Sequence, residues 1–142
     1  MHKKFYASGF LYHSPSDKIL LQRQNSTDLN SPWSLLGSIS LGLETSSENF
    51  QRNAHNILHV DLQAKSTYPI YDYDNSGKNY VSYAQVKNLV AFLPVGETVF
   101  AWFSAKEILK LTLSAQTKQD IIVGQRVIEA SDRQKAGERI IE

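Results

Sequence analysis

The sequence predicts an α+β domain in which a mixed sheet lies between helices. Three observations carry this. Segments with β character occur early, at 4–12 and 18–23, and again later, at 68–73, 80–87 and 99–103. A capped amphipathic helix separates the two groups, over 45–58. Helical pattern dominates the end, from about 114 to 130. Strands, a helix, strands, then helices fit an α/β/α sandwich better than a regularly alternating, doubly wound sheet.

Each element has its own signal. Lys4 to Tyr12 is rich in aromatic residues, and His13-Ser14-Pro15-Ser16-Asp17 is a turn cluster. Lys18 to Arg23 is the partner strand of an antiparallel hairpin. Asn25 to Pro32 is a polar loop, and Gly37 and Gly42 bracket a second one. Thr45 followed by Glu48 is a capping box, the signature of a helix start. Phe50, Ala54, Ile57 and Leu58 then form one apolar stripe. Tyr68 to Tyr73 and Tyr80 to Lys87 flank the turn Asp74-Asn75-Ser76-Gly77-Lys78, and Leu89 to Leu93 is read as a continuation of the second strand. Ser104 with Glu107 is another capping box, opening a short helix through Leu111. In the last helix Ile121, Ile122, Gln125 and Ile128 track one face, and from about 131 a charged tail is expected to fray.

Bulk composition narrows the function. The chain has 142 residues, 42% of them hydrophobic, which suits a single domain over 1–142 with one ordinary core. Fifteen basic against 14 acidic residues give a net charge of +1, which argues against a broad nucleic-acid or membrane surface. Direct nucleic-acid binding and membrane association are therefore not expected. The absence of cysteine excludes disulfides, thiolate metal centres and cysteine nucleophiles, and fits a cytoplasmic location. Met1-His2-Lys3-Lys4 is not followed by an apolar run of signal-peptide length, and no segment approaches the roughly 20 apolar residues of a membrane span.

The stretch from Trp33 to Val60 resembles the heart of the Nudix (MutT-like) hydrolase family. The family's box reads G-x5-E-x7-R-E-U-x-E-E-x-G-U, with U aliphatic, often after W-x-L-P-G-G. Here Trp33-Ser34-Leu35-Leu36-Gly37-Ser38 precedes Glu44 and Arg52 at the box spacing. Beyond Arg52 the pattern departs. Asn53, Asn56 and Ile57 stand at the three helix glutamates, Ala54 and Val60 at the aliphatic positions and His59 at the final glycine. The opening hairpin, Trp102-Phe103-Ser104-Ala105-Lys106-Glu107 and Leu113 to Thr117 also match the family's order, so the resemblance covers about 5–130.

The resemblance implies a Nudix-like α/β/α sandwich, with Glu44 and Arg52 as remnants of the catalytic box. It implies that positions 53, 56 and 57 share the helix face where the family holds magnesium or manganese. Those cations need hard oxygen ligands, and an amide oxygen is a poor one while isoleucine is none. A degenerate box is therefore expected, binding a nucleoside-diphosphate derivative or a partner with little or no hydrolysis. No cofactor is assigned; Mg or Mn would serve if hydrolysis persists. Arg23, Glu48 and Tyr83 are expected near a ligand.

Blander readings stand beside these. Glu44 suits a loop carboxylate near a helix N-terminus, and Arg52 suits an i,i+4 pair with Glu48. His55 and His59 share a helix face, but no third zinc ligand is evident. The tyrosines at 68, 71, 73, 80 and 83 suit base stacking or cross-strand packing. Asp72 to Gly77 starts like a calcium loop, but Tyr83 stands where a bidentate glutamate is needed. Two other functions remain open. One is an active hydrolase with relocated carboxylates such as Glu44, Glu48, Asp72 or Asp74; the other is an interaction module with an empty cleft.

Overall fold

The computed structural model describes residues 4–25 and 27–141, with side chains as far as 137. The reading of Met1-His2-Lys3 lies outside the described residues. Strands β1 (Phe5–His13) and β2 (Lys18–Arg23) are joined by one 3-10 turn, Ser14–Ser16. Two short strands follow, β3 (Trp33–Ser34) and β4 (Leu36–Ile39), and then helix α1 (Ser46–Leu58). Strands β5 (Thr67–Asp74), β6 (Lys78–Gln85) and β7 (Val99–Ser104) precede helices α2 (Ala105–Ile108) and α3 (Ala115–Ile141).

The sheet is mixed. β1 lies at its centre, parallel to β6 along one edge from Phe5 to Tyr12. Its other edge is shared: Leu11 to His13 pair antiparallel with β2, and Tyr6 to Gly9 pair antiparallel with β4. β2 in turn pairs with β3 and, along its whole length, with β7. The segment 33–39 thus changes partner at Leu35, which carries the chain from β2 to β1 and delivers it to the loop before α1.

Period-two alternation explains both faces. Phe10, Tyr12, Ile19, Leu21, Val81 and Tyr83 pack with Ile108, Ile121 and Ile128 of the C-terminal helices. Their sequence neighbours Leu11, Leu20 and Ala84 pack with Leu36 and with Phe50 and Leu58 of α1. The α/β/α sandwich expected from the sequence is therefore present. Gly124 faces Phe10: a Cβ there would sit 2.9 Å from two ring carbons, so the helix can lie this close only on a glycine.

Four local expectations change. Residues 89–93 do not extend β6, because β1 ends at His13 and the last bond of this pairing is from the Val86 N–H to the Tyr12 carbonyl. With no partner backbone, the chain leaves the sheet. α2 ends at Ile108 rather than Leu111, tightening through 107–110 and 108–111 turn bonds so that the Thr112 carbonyl can reach the Trp33 N–H at 3.0 Å. Ile122 is not on the buried face of α3 but 38% exposed; Thr117, Asp120, Ile121, Gly124 and Ile128 are the buried set. The helix also runs on through the charged segment to Ile141, where Arg133, Gln134, Lys135 and Ala136 are all good helix formers.

Candidate functional site

Glu44, Glu48 and Arg52 converge on α1 and the loop that feeds it. Thr45 caps the helix: its hydroxyl accepts from the Glu48 N–H at 3.1 Å, and its own N–H donates to the Glu48 carboxylate at 2.9 Å. Glu48 is thereby committed to the cap and is not the partner of Arg52. That partner is Glu44. The Arg52 guanidinium donates to both Glu44 oxygens, at 3.0 and 2.8 Å, and to the Ile39 carbonyl at 3.2 Å. Glu44 also accepts from the Leu41 N–H at 2.8 Å. One bidentate pair therefore ties the end of β4, the 40–44 loop and the helix together. The Arg52 hydrogen bonds hold the Glu44 carboxyl below the usual carboxylate range, and Glu44 raises the guanidinium in return.

The face one turn further along carries no carboxylate. Asn49 is fully buried, and its side-chain oxygen accepts from the Ser38 hydroxyl at 2.6 Å. Asn53 is 8% exposed, and the amide nitrogens of both Asn49 and Asn53 are buried without a hydrogen-bond partner. Asn56 is exposed. Ile57 is half-buried, packing on the cluster of Phe50 and Leu58. His59, at the family's glycine position, ends the helix in the left-handed region at φ 58°, where its N–H meets the His55 carbonyl at 3.0 Å. That conformation is the one glycine favours.

The other expected residues are scattered. Arg23 lies at the end of β2 with its guanidinium 5.0 Å from the Trp33 ring centre. Tyr83 is 1% exposed and stacks at 5.2 Å on Tyr68 within the α3-side core. Its hydroxyl is pushed up to about 12 by burial, then by Tyr68. The dense tyrosines of β5 and β6 thus serve packing here, and Tyr71 donates to Asp120 of α3 at 2.5 Å. The Asp120 carboxyl is raised by burial, against the opposing effect of bonds from Tyr71 and Gln116. The tyrosines had suited either base stacking or cross-strand packing, and nothing in their pattern foretold the carboxylate on α3.

His55 pairs with Asp61 at 2.8 Å, and Asp72 pairs with Lys78 at 2.8 Å. Among the described residues no group of three or more His, Cys, Asp or Glu side chains gathers as a cation site requires. A cleft of about 900 Å³ opens at the C-terminal end of α1, between the 57–66 segment and the 85–95 loop. Ile57 forms part of its wall, and sequence reasoning did not anticipate it. Among the described residues no helix is long and apolar enough to cross a membrane.

No family model matches the chain, and no curated protein matches it in sequence. Solved structures do match. The C-terminal domain of mouse MUTYH, in a complex with human PCNA, superposes with a TM-score of 0.67 at 10% identity, covering 90% of this chain and 91% of that one. The NUDIX domain of Shewanella oneidensis NrtR, complexed with ADP-ribose, gives 0.67 at 14% identity over 90% of each chain. A NUDIX-family hydrolase from Clostridium perfringens gives 0.69 at 16% identity, over 88% of this chain and 96% of that one. The resemblance carried by Trp33 to Val60 thus holds at the level of architecture: this chain has the Nudix fold.

Proposed function

We propose that this protein is a Nudix-fold binding module that recognises a nucleoside-diphosphate derivative without hydrolysing it. One observation carries the reading. Where the box motif places cation ligands, α1 presents two asparagines and an isoleucine, and the amide nitrogens of Asn53 and of Asn49 one turn earlier are buried without a hydrogen-bond partner. Each asparagine offers at most one neutral amide oxygen, which brings no charge to a divalent cation, and Ile57 offers no lone pair. These residues do not fit a magnesium or manganese centre, so no hydrolytic step is routed through one.

Three of the four carboxylates that could have been relocated are already engaged. Glu44 is engaged by Arg52 and the Leu41 N–H, Glu48 by the cap and Asp72 by Lys78. The Glu44–Arg52 clasp keeps the loop and helix in shape, so Glu44 and Arg52 act as positioning residues. Arg23, stacked on Trp33, is the proposed phosphate contact; Glu48 and Tyr83 have their places in the cap and the core. ADP-ribose, the ligand of the similar NrtR domain, is the first compound to try.

The test is thermal stability across ADP-ribose, nucleoside triphosphates, dinucleotides and nucleoside-diphosphate sugars, each with magnesium and with chelator. A ligand at a hundredfold excess over Kd stabilises by about 2.7 kcal/mol, roughly 10 °C in Tm for a chain of this size. The proposal expects such a shift to persist in chelator. If no compound raises Tm, the ligand reading fails and a protein-binding module takes its place.

A further inference from the structure

The cleft at the end of α1 has a chemistry of its own. Its walls are aliphatic, with Ile57, Val60 and Leu62 on one side and Val86, Val90 and Val95 on the other. Phe92 is the one Phe, Tyr or Trp among the described lining residues. A nucleobase would therefore find no pair of rings to lie between, whereas a flexible alkyl chain needs only apolar contact. At about 900 Å³ the cleft lies toward the upper end of small-ligand sites, which run from roughly 300 to 1,000 Å³.

The polar rim is positive. Lys65 and Lys87 both line the cleft, are solvent-exposed, and form no ion pair among the described residues. Asp61, the one carboxylate in the lining, is already paired with His55 at 2.8 Å. The loop that closes one side is anchored rather than loose. The Trp102 indole N–H donates to the Val90 carbonyl at 2.8 Å, and Val95 and Thr98 exchange two backbone bonds at 3.0 Å.

We propose that this cleft is a binding site for a linear aliphatic chain ending in a single anionic group, with the chain along the 57–62 and 86–95 walls and the anion between Lys65 and Lys87. Glu44 and Arg52 are not among its lining residues, while Ile57 is shared with the face of α1 that the nucleotide reading uses.

The probes are acetate, hexanoate, octanoate and decanoate, titrated into the full chain by calorimetry below micelle-forming concentrations. Burial of each added methylene should tighten binding about fourfold, so decanoate should exceed hexanoate by about two hundredfold. Acetate should not bind measurably. Lys65→Ser with Lys87→Ser should weaken every chain length tenfold or more and keep the slope. Ala91→Trp, at an exposed lining position, should obstruct the aliphatic wall and weaken decanoate binding tenfold or more with Tm unchanged. Amide shifts in NMR should map to 57–65 and 86–95. No binding of decanoate, no dependence on chain length, or insensitivity to Ala91→Trp would each overturn the proposal. A dimer that Ala91→Trp disperses would do so as well, by giving the cleft to a second copy of the chain.

Discussion

Replacing Arg52 with alanine should destabilise the fold by about 2 kcal/mol. The substitution removes two hydrogen bonds to Glu44 and one to the Ile39 carbonyl. Bonds to charged groups contribute roughly 1.5–3 kcal/mol when they are well shielded. Here the Arg52 side chain is 29% exposed and that of Glu44 is 14% exposed, so solvent screening keeps the total near the lower bound. Glu44 is left with the Leu41 N–H alone. At about 4 °C per kcal/mol for a chain of this size, Tm should fall by roughly 8 °C. Glu44→Gln keeps an acceptor for Leu41 and should cost about 1 kcal/mol. Urea unfolding of the two single variants and the double variant gives a coupling energy, expected at about 1–2 kcal/mol. Glu48→Gln is the control: glutamine also serves in a capping box, so stability should change by less than about 0.5 kcal/mol. The linkage sign is fixed by the lowered Glu44 carboxyl. Its stabilisation is complete above the ordinary glutamate value and drains away as pH falls through the folded one, so Glu44→Gln should flatten the acid limb below about pH 4.3. A coupling energy of zero, or an Arg52→Ala protein as stable as the parent, would refute the reasoning.

Further outcomes follow from the packing. Gly124→Ala should destabilise by about 1–3 kcal/mol in calorimetry, despite alanine's better helix propensity, because the new Cβ meets the Phe10 ring at 2.9 Å. His59→Gly should stabilise by about 0.5–1 kcal/mol, since glycine adopts the φ of 58° without strain. Asp120→Asn tests a titration of opposite sign to Glu44. The raised Asp120 carboxyl contributes stability that is present below the ordinary aspartate value and lost as pH rises through the folded one, so the variant should be less sensitive to pH over that upper interval in chemical denaturation.

Much of the fold was legible because it rests on short-range rules. The Thr45–Glu48 and Ser104–Glu107 capping boxes are local hydrogen-bond patterns, and both form as read. The turn cluster at 13–17 likewise marks the β1–β2 hairpin, whose two strands pair as read. What escaped depends on distant partners. Residues 89–93 have strand composition but no strand partner among the described residues, and Leu111 leaves its helix to let Thr112 and Leu113 meet Trp33. At the site, helix spacing offered Arg52 the carboxylate of Glu48, four residues back, whereas its partner is Glu44, eight back and outside the helix. The capping box removes Glu48 from contention, a consequence visible only when both interactions are counted together. Tyr83 resembled a stacking residue by composition, yet its place in the strand alternation turns it into the core. The cleft at the end of α1 had no signal, because its two walls are about 25 residues apart in sequence.

The central claim is that α1 has exchanged cation ligands for amides and an aliphatic side chain. It is tested most directly by incubating the protein with nucleoside triphosphates, dinucleotides and nucleoside-diphosphate sugars in magnesium or manganese, and following phosphate and pyrophosphate release. The account predicts no release above the uncatalysed rate over a long incubation of folded protein. Release that chelator abolishes would contradict it and would mean that carboxylates elsewhere in the chain supply the metal site.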